Sequence, residues 1–301
     1  MSLEAFTSTN HIQHTFEPQL STNWALKDLS KGGPYPSKDT IDAFITLQVK
    51  ELQGISIRLG VDGEGGSGKE NLTSELSGIL GIPSFDSGKY YRAITAVTSD
   101  EVIQHIQHDE HALQTYLDSL DITVTKDAQK KQHVTVTKNK GTTHEEIIDI
   151  TELVGTSSVS ERTSSIASIQ LIRNKVHAYQ NTFMETNSSF IIEGRNMYEI
   201  ASGKANFMIY LHAEDEEILR REMGRQDSSV DAAFKSALVR TQQDTNRKGE
   251  GKFMTREQAY QSNSPYDLCI DTSFIPKEHS PLIVLNALVE HKQALQQQPL
   301  A

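Results

Sequence analysis

The stretch Ile55-Ser56-Ile57-Arg58-Leu59-Gly60-Val61-Asp62-Gly63-Glu64-Gly65-Gly66-Ser67-Gly68-Lys69-Glu70-Asn71 decides the fold. Its opening, Ile55 to Val61, has the apolar density of a buried β-strand. After it, Leu72, Leu76, Ile79 and Leu80 recur at helical spacing until Gly81 and Pro83 end the element. Between strand and helix lies Gly63-x-x-x-x-Gly68-Lys69, which matches the phosphate-binding loop through its lysine. Glycines let the backbone curl so that successive N–H groups face phosphate oxygens, the helix N-terminus adds partial positive charge, and lysine reaches the β- and γ-phosphates. One position departs from the pattern. The usual Ser or Thr after the lysine, whose hydroxyl ligates Mg²⁺, is Glu70, with Asn71 next. An acid here either joins the metal's ligands or repels the phosphates.

Working outward, a second apolar strand at Phe190 to Ile192 runs into Glu193-Gly194-Arg195, and a third at Phe207 to Leu211 precedes a charged helix from Glu214 to Arg225. Short strands alternating with helices predict an α/β fold with a parallel sheet. Upstream, Ser37 reads as the N-cap of a helix that places Ile41, Phe44, Ile45, Val49 and Leu52 on one face, and residues 1–36 read as irregular. A different texture separates the first strand from the second. Glu101 to Leu120 reads as helix, followed by a hairpin of Ile122 to Thr125 and Val134 to Thr137. The expected organisation is an N-terminal extension (1–54), a core (55–95 and 156–292) with a lid near 222–240, an inserted subdomain (96–155) and a tail (293–301).

Composition narrows the partners. Against 40 acidic residues the 301-residue chain sets 29 Lys plus Arg, a formal charge of −11, with no long basic run. A surface that gains affinity by releasing nucleic-acid counterions needs the opposite balance, so no nucleic-acid partner is expected. The longest apolar runs, such as Phe207 to Leu211, fall far short of the roughly 20 residues that span a bilayer, so no membrane partner is expected either. The polar start lacks a signal-peptide core and the single cysteine, Cys269, has no intramolecular partner, which predicts a cytoplasmic protein, expected as a monomer.

Further motifs follow the loop in order: Asp86-Ser87-Gly88-Lys89-Tyr90-Tyr91-Arg92; Ser164-Ser165-Ile166-Ala167 with Arg173; Ile191-Ile192-Glu193-Gly194-Arg195-Asn196-Met197; and Arg240, Asp244 and Arg247. Together they resemble the bacterial cytidylate kinases, a nucleoside monophosphate kinase family, over about residues 55–292. The resemblance implies a P-loop NTPase fold with an inserted monophosphate-binding subdomain and a helical lid. It implies phosphoryl transfer from ATP to CMP or dCMP, extending to UMP, with Mg²⁺ as cofactor; the alternatives are a catalytically impaired nucleotide-binding protein on the same scaffold and a kinase for another small phosphate acceptor.

The resemblance also assigns residues. ATP would be held by Gly63, Gly65, Gly66, Ser67, Gly68, Lys69, Glu70, Asn71, Arg220 and Arg221, with Lys69, Arg195 and Arg221 catalytic. The acceptor would be held by Ser87, Arg92, Ser164, Arg173, Arg195, Asn196, Arg240, Asp244 and Arg247, and the metal by Glu193 with Asn71. Five of the eleven arginines, Arg92, Arg173, Arg195, Arg240 and Arg247, thus fall in acceptor motifs. Such cations offset the repulsion between donor and acceptor phosphates. Besides Glu70 and Asn71, two positions depart from the family. Ile150 stands where an arginine is usual, and Asn196 replaces an aspartate that accepts from the cytosine amine. An amide can also donate, to uracil O4, so Asn196 predicts weaker discrimination between CMP and UMP.

Overall fold

The computed structural model of the chain describes residues 6–8, 11–15, 37–106, 108–127, 131–226 and 254–292. Along the chain these form β1 (Phe6–Ser8), β2 (His11–Thr15), α1 (Lys38–Glu51), β3 (Arg58–Gly63), α2 (Lys69–Leu80), β4 (Ser84–Asp86), α3 (Ser87–Val97), α4 (Asp100–Ile106) and α5 (Glu110–Asp118). There follow β5 (Leu120–Lys126), β6 (Gln132–Lys138), β7 (Glu146–Asp149), α6 (Ser157–Ile166), α7 (Gln170–Thr186), β8 (Phe190–Glu193) and α8 (Met197–Ile200). The last elements are β9 (Phe207–His212), α9 (Asp215–Gln226), α10 (Arg256–Ala259), β10 (Leu268–Asp271) and α11 (Ser280–Glu290). Two compact units divide the described residues. One runs to Phe85 and resumes at Phe183, and the other is Asp86–Thr182.

The first unit is built on a sheet of order β1-β2-β10-β9-β3-β8-β4. From β2 to β8 each pairing is parallel, and β1 lies antiparallel on β2. The expected parallel α/β fold is therefore observed. Strands β8 and β9 are buried on both faces, and so is β3 beyond its first residue, which is why they read as continuous apolar runs rather than alternating ones. Leu59, Val61, Leu72, Leu76, Ile209, Leu211 and the α11 residues Val284 and Leu285 form the fully covered core. Helix α1 adds Phe44 to it and the helix's C-cap residue Leu52 follows, and Ser37 caps the N-terminus by accepting from Thr40 N, as the sequence predicts.

The structure corrects several expectations. The first strand is Arg58–Gly63, not Ile55 to Val61, because Asn206 fastens its entry: Oδ1 accepts from Arg58 N at 2.9 Å and Nδ2 donates to Ser56 O at 2.9 Å. Residues 1–36 are not uniformly irregular. Strand β2 joins the sheet edge by pairing His14 with Leu268 and Thr15 with Cys269, a long-range pairing that a polar sequence does not announce.

The second unit extends beyond the expected 96–155 insert in both directions. The predicted helix from Glu101 to Leu120 is two helices, because the Asp109 side chain accepts from Ala112 N and starts a new one. The predicted hairpin is present, with Ile122 opposite Val136 and Val124 opposite Val134. A third strand, β7, pairs with β6 and was not evident in the sequence. Val134, Val136, Leu113, Leu117 and Ile150 lie in this unit's core. Ile150, at 1% exposure, fills an apolar space where a guanidinium would be buried without compensation.

Candidate active site

The glycine run turns the chain from β3 into α2. Gly63 has φ +133°, and a Cβ there would stand 1.9 Å from Leu211 O, so a side chain is excluded by both conformation and space. Gly68, at φ +94°, is the N-cap of α2, where backbone N–H groups are left for an anion. The Lys69 ammonium folds back over the loop and donates to Gly63 O at 2.8 Å and Glu64 O at 2.6 Å. This is a positive centre held at the mouth of an amide-lined loop, an arrangement that suits a polyphosphate. Glu64 is offset by Arg256, 3.2 Å away, which also donates to Ala213 O.

Beneath the loop sits a residue that the sequence reading did not single out. Asp62 is 4% exposed and accepts four hydrogen bonds: Oδ1 from Gly63 N (2.8 Å) and Asn196 N (3.1 Å), Oδ2 from Met197 N (2.7 Å) and the Tyr266 hydroxyl (2.8 Å). Burial pushes its carboxyl above the usual range, while these donors and the Lys69 ammonium pull the other way. Asp62 thereby ties the start of the loop to the turn after β8. Its only signal in sequence is an acid between an apolar strand and the first loop glycine.

That turn carries the second group of predicted residues. Glu193, 5% exposed at the carboxyl end of β8, accepts from the Thr73 hydroxyl at 2.9 Å. Thr73, one turn along α2 from Glu70, was also missed by sequence reasoning. Arg195 lies against the loop, since a Cβ on Gly65 would meet its Nη2 at 2.9 Å. Asn196 adopts φ +63°, a left-handed conformation that asparagine tolerates better than most residues. Its Nδ2 donates to Glu199 Oε2 at 2.5 Å, and its Oδ1 is buried with no hydrogen-bond partner. Lys69, Glu193, Arg195 and Asn196 are thus gathered at the carboxyl ends of β3 and β8, where open parallel sheets bind ligands.

Arg221 is also at the loop. It donates to Gly66 O (3.0 Å) and Thr272 O (2.7 Å) while Glu217 accepts from its Nε (2.7 Å). Arg220 pairs with the same Glu217 and is 75% exposed. Ser67 O accepts from the Thr272 hydroxyl at 2.9 Å. Asn71 Nδ2 donates to Lys277 O at 3.1 Å, and Glu70 is exposed in the first turn of α2.

In the second unit, Ser87 is buried and its Oγ accepts from Gln180 Nε2 at 2.7 Å. Arg92 Nε donates to Gly88 O. Burial pushes the neighbouring Asp86 carboxyl up, but the Lys89 ammonium at 3.2 Å and the Arg92 guanidinium outweigh it and hold it below the usual range. Ser164 is half-buried on α6. Arg173 donates to Ser168 O at 2.8 Å and to Ala167 O at 3.4 Å, and it also bonds Gln170 Oε1. Arg240, Asp244, Arg247 and the lid residues 227–240 lie outside the described residues.

The cytidylate kinase family model matches residues 59–266, more than half the chain. The chain belongs to the cytidylate kinase family. Among curated relatives, a cytidylate kinase from Halalkalibacterium halodurans is 26% identical over 183 residues, spanning 60% of this chain and 75% of the relative. One from Protochlamydia amoebophila is 24% identical over 235 residues, spanning 78% and 96%. Solved structures that it resembles include TT1252 from Thermus thermophilus (TM-score 0.38, 16% identity, covering 78% and 98%) and a dephospho-CoA kinase from Campylobacter jejuni (TM-score 0.31, 13%, covering 79% and 96%). Membership of the family makes the chain a phosphotransferase with nucleotide substrates, and no helix among the described residues is long and apolar enough to cross a membrane.

Members of such a family use a divalent cation with ATP. Among the described residues no group of three or more His, Cys, Asp or Glu is placed to hold a metal by itself. Mg²⁺ takes one or two carboxylates and completes its shell with water and substrate phosphates. Glu193, a buried carboxylate at the end of β8 that accepts from Thr73, fits that need, while Asn71 donates to Lys277 O through Nδ2, a bond that does not use its Oδ1.

Proposed function

We propose that this protein transfers the γ-phosphoryl group of ATP to CMP or dCMP. The observation that carries this reading is the pairing, at adjacent strand ends, of the Lys69-capped loop with the Glu193-Gly194-Arg195-Asn196 turn, both fastened to Asp62. In the reaction the bond between the γ-phosphorus and the β,γ-bridging oxygen breaks, a bond forms to an acceptor phosphate oxygen, and ADP leaves. The acceptor oxygen is already anionic, so no general base is required. Loop amides and Lys69 hold the donor phosphates, and Arg195, lying against Gly65, offsets charge between donor and acceptor. Mg²⁺, when bound, would neutralise charge on the donor phosphates, and Glu193 would hold it. Ser87, Arg92, Ser164 and Arg173 serve the acceptor, as do Arg240, Asp244 and Arg247.

Base preference follows from Asn196. The Asn196 Nδ2 donates to Glu199 Oε2, and its Oδ1 is a buried atom without a hydrogen-bond partner. An amide can accept from the cytosine amine or donate to uracil O4, so Asn196 should discriminate only weakly between CMP and UMP. A coupled assay of ADP formation with ATP, Mg²⁺ and a panel of CMP, dCMP, UMP, AMP and GMP tests this. CMP and dCMP are expected to lead in kcat/KM. Nucleotide binding by calorimetry with no ADP formed from any acceptor would overturn the kinase reading.

A further inference from the structure

The phosphate loop and the first turn of its helix carry two acids, Glu64 and Glu70, in different surroundings. Glu70 is exposed, whereas the Glu64 side chain, between Gly63 and Gly65, is only 29% exposed. The Glu64 backbone is pinned: its amide donates to Leu211 O at 3.1 Å, and its carbonyl accepts from the Lys69 ammonium at 2.6 Å and the Ser67 hydroxyl at 2.8 Å. The carbonyl that receives Lys69 thus belongs to the residue whose carboxylate would repel a phosphate. Arg256, the first residue of α10, meets that carboxylate. Its Nη2 donates to Glu64 Oε2 at 3.2 Å and to Ala213 O at 2.7 Å, and its Nη1 donates to Glu214 Oε1 at 3.3 Å. Asp215 stands 3.9 Å from the same guanidinium, but it and Glu214 are exposed, so water screens them. Glu64 is the least exposed of the three acids around Arg256 and the one that lies in the loop.

We propose that Arg256 is a positioning residue for the donor triphosphate, acting through Glu64: it holds the Glu64 carboxylate toward Ala213 and cancels its charge, a role that rests on the ATP-binding reading of the loop. Loop amides and Lys69 attract a polyphosphate, and an uncompensated carboxylate on the same few residues opposes them. In a half-buried place that repulsion is screened less than at the surface. A guanidinium suits the task because it stays charged at any pH the fold survives and offers several N–H donors in a fixed plane. Ala213 O, just beyond β9, fixes where the charge sits, and Glu64 takes another of its donors. The loop can therefore carry an acid between two of its glycines and still receive an anion.

Four full-length chains test this: wild type, Arg256→Met, Glu64→Gln and the double variant, each titrated calorimetrically with ATP and with inorganic tripolyphosphate in the presence of Mg²⁺. Arg256→Met is expected to weaken both ligands about tenfold relative to wild type, and that ratio should shrink as potassium chloride is raised. Glu64→Gln should bind both at least as tightly as wild type, and the double variant should return to within about twofold of it. In a coupled assay the loss in Arg256→Met should fall on KM for ATP more than on kcat. If Arg256 serves only to hold Ala213 O, the double variant stays as weak as Arg256→Met, and that result overturns the proposal. Unchanged affinity in Arg256→Met overturns it too. An Arg256→Met chain that does not fold is read through the double variant: folded and binding like wild type supports the proposal, and unfolded as well assigns Arg256 to the fold alone and overturns it. A wild-type chain that binds neither ligand removes the phosphate-loop reading and the proposal with it, whereas one that binds both, with no rescue by Glu64→Gln, removes the role of Arg256 alone.

Discussion

The loop residues of the first unit and the motif residues of the second are held in different ways. Asp62 reaches 134 residues along the chain to Asn196 and 204 to Tyr266, and Thr73 reaches 120 to Glu193. In the second unit, Arg173 bonds within six residues of itself and Arg92 within four. Ser87, bonded to Gln180, is the exception. Long-range bonds among buried groups make the loop's geometry part of the fold. Local bonds on half-exposed arginines leave those groups separable from it. Substitutions in the first set should therefore cost rate and stability together or shape the reacting centre itself, and those in the second should cost binding alone.

The largest effect is expected at Lys69. Replacing it with methionine keeps the stem and removes the ammonium, so kcat should fall by about a thousandfold, the scale of losing one preorganised charge contact. Melting temperature should change little, because two carbonyl acceptors at the edge of the loop regain water. A loss of under tenfold in kcat would place the reacting phosphates elsewhere.

Asp62→Asn comes next, and it sharpens the comparison because it strikes fold and site at once. An amide can accept on one oxygen only, so two of the four donors lose their partner in a buried place. Chemical denaturation should show a loss of about 2 to 4 kcal/mol, with kcat lowered as well. Stability unchanged within error would mean that Asp62 does not tie the loop to the β8 turn.

The contrast also explains what the sequence reveals. The strand, glycine loop and helix are legible because each uses residues adjacent in the chain, and Gly63 and Gly68 occupy the backbone conformations their motif positions require. Asp62, Thr73, Thr272 and Arg256 were not legible, because their partners lie far away in sequence and only folding brings them together. Arg162 shows the same limit from the other side. It looks like any surface cation, yet it donates to Thr95 O and Thr98 O and pairs with Asp100, a clasp inside the second unit. Strands β2 and β7 escaped because each is short, and neither His11–Thr15 nor Glu146–Asp149 alternates apolar and polar residues over enough positions to be read as a strand.

On the second unit's side, Arg173→Ala should raise KM for CMP about tenfold, the loss of one charged contact, and leave KM for ATP unchanged. Its helix should remain stable within about 0.5 kcal/mol, since the side chain bonds only its own neighbourhood. Equal changes in both KM values would show that the local picture is wrong.

A smaller effect concerns pH. Burial depresses the His212 imidazole below its ordinary value, and its Nε2 meets the Tyr260 hydroxyl at 2.7 Å. Below about pH 6.5 the unfolded chain therefore binds the proton more readily than the folded one, so stability should fall as pH drops through that value. His212→Gln should flatten that slope in melting curves taken between neutral and mildly acid pH. An identical slope would assign it to other groups, such as His177 or His279, which burial also depresses.

The smallest effect is expected where the sequence raised the sharpest doubt, at Glu70. An acid following the loop lysine looks hostile to phosphate, but its residue is exposed in the first turn of α2, where the helix dipole favours negative charge. Within the same helix, the Thr73 hydroxyl donates to the Glu193 carboxylate. Exposure lets water screen Glu70 from the donor phosphates. Glu70→Thr should therefore lose about 0.5 kcal/mol of stability through the dipole and change kcat by no more than about twofold. A tenfold gain in kcat would show instead that Glu70 does repel the donor.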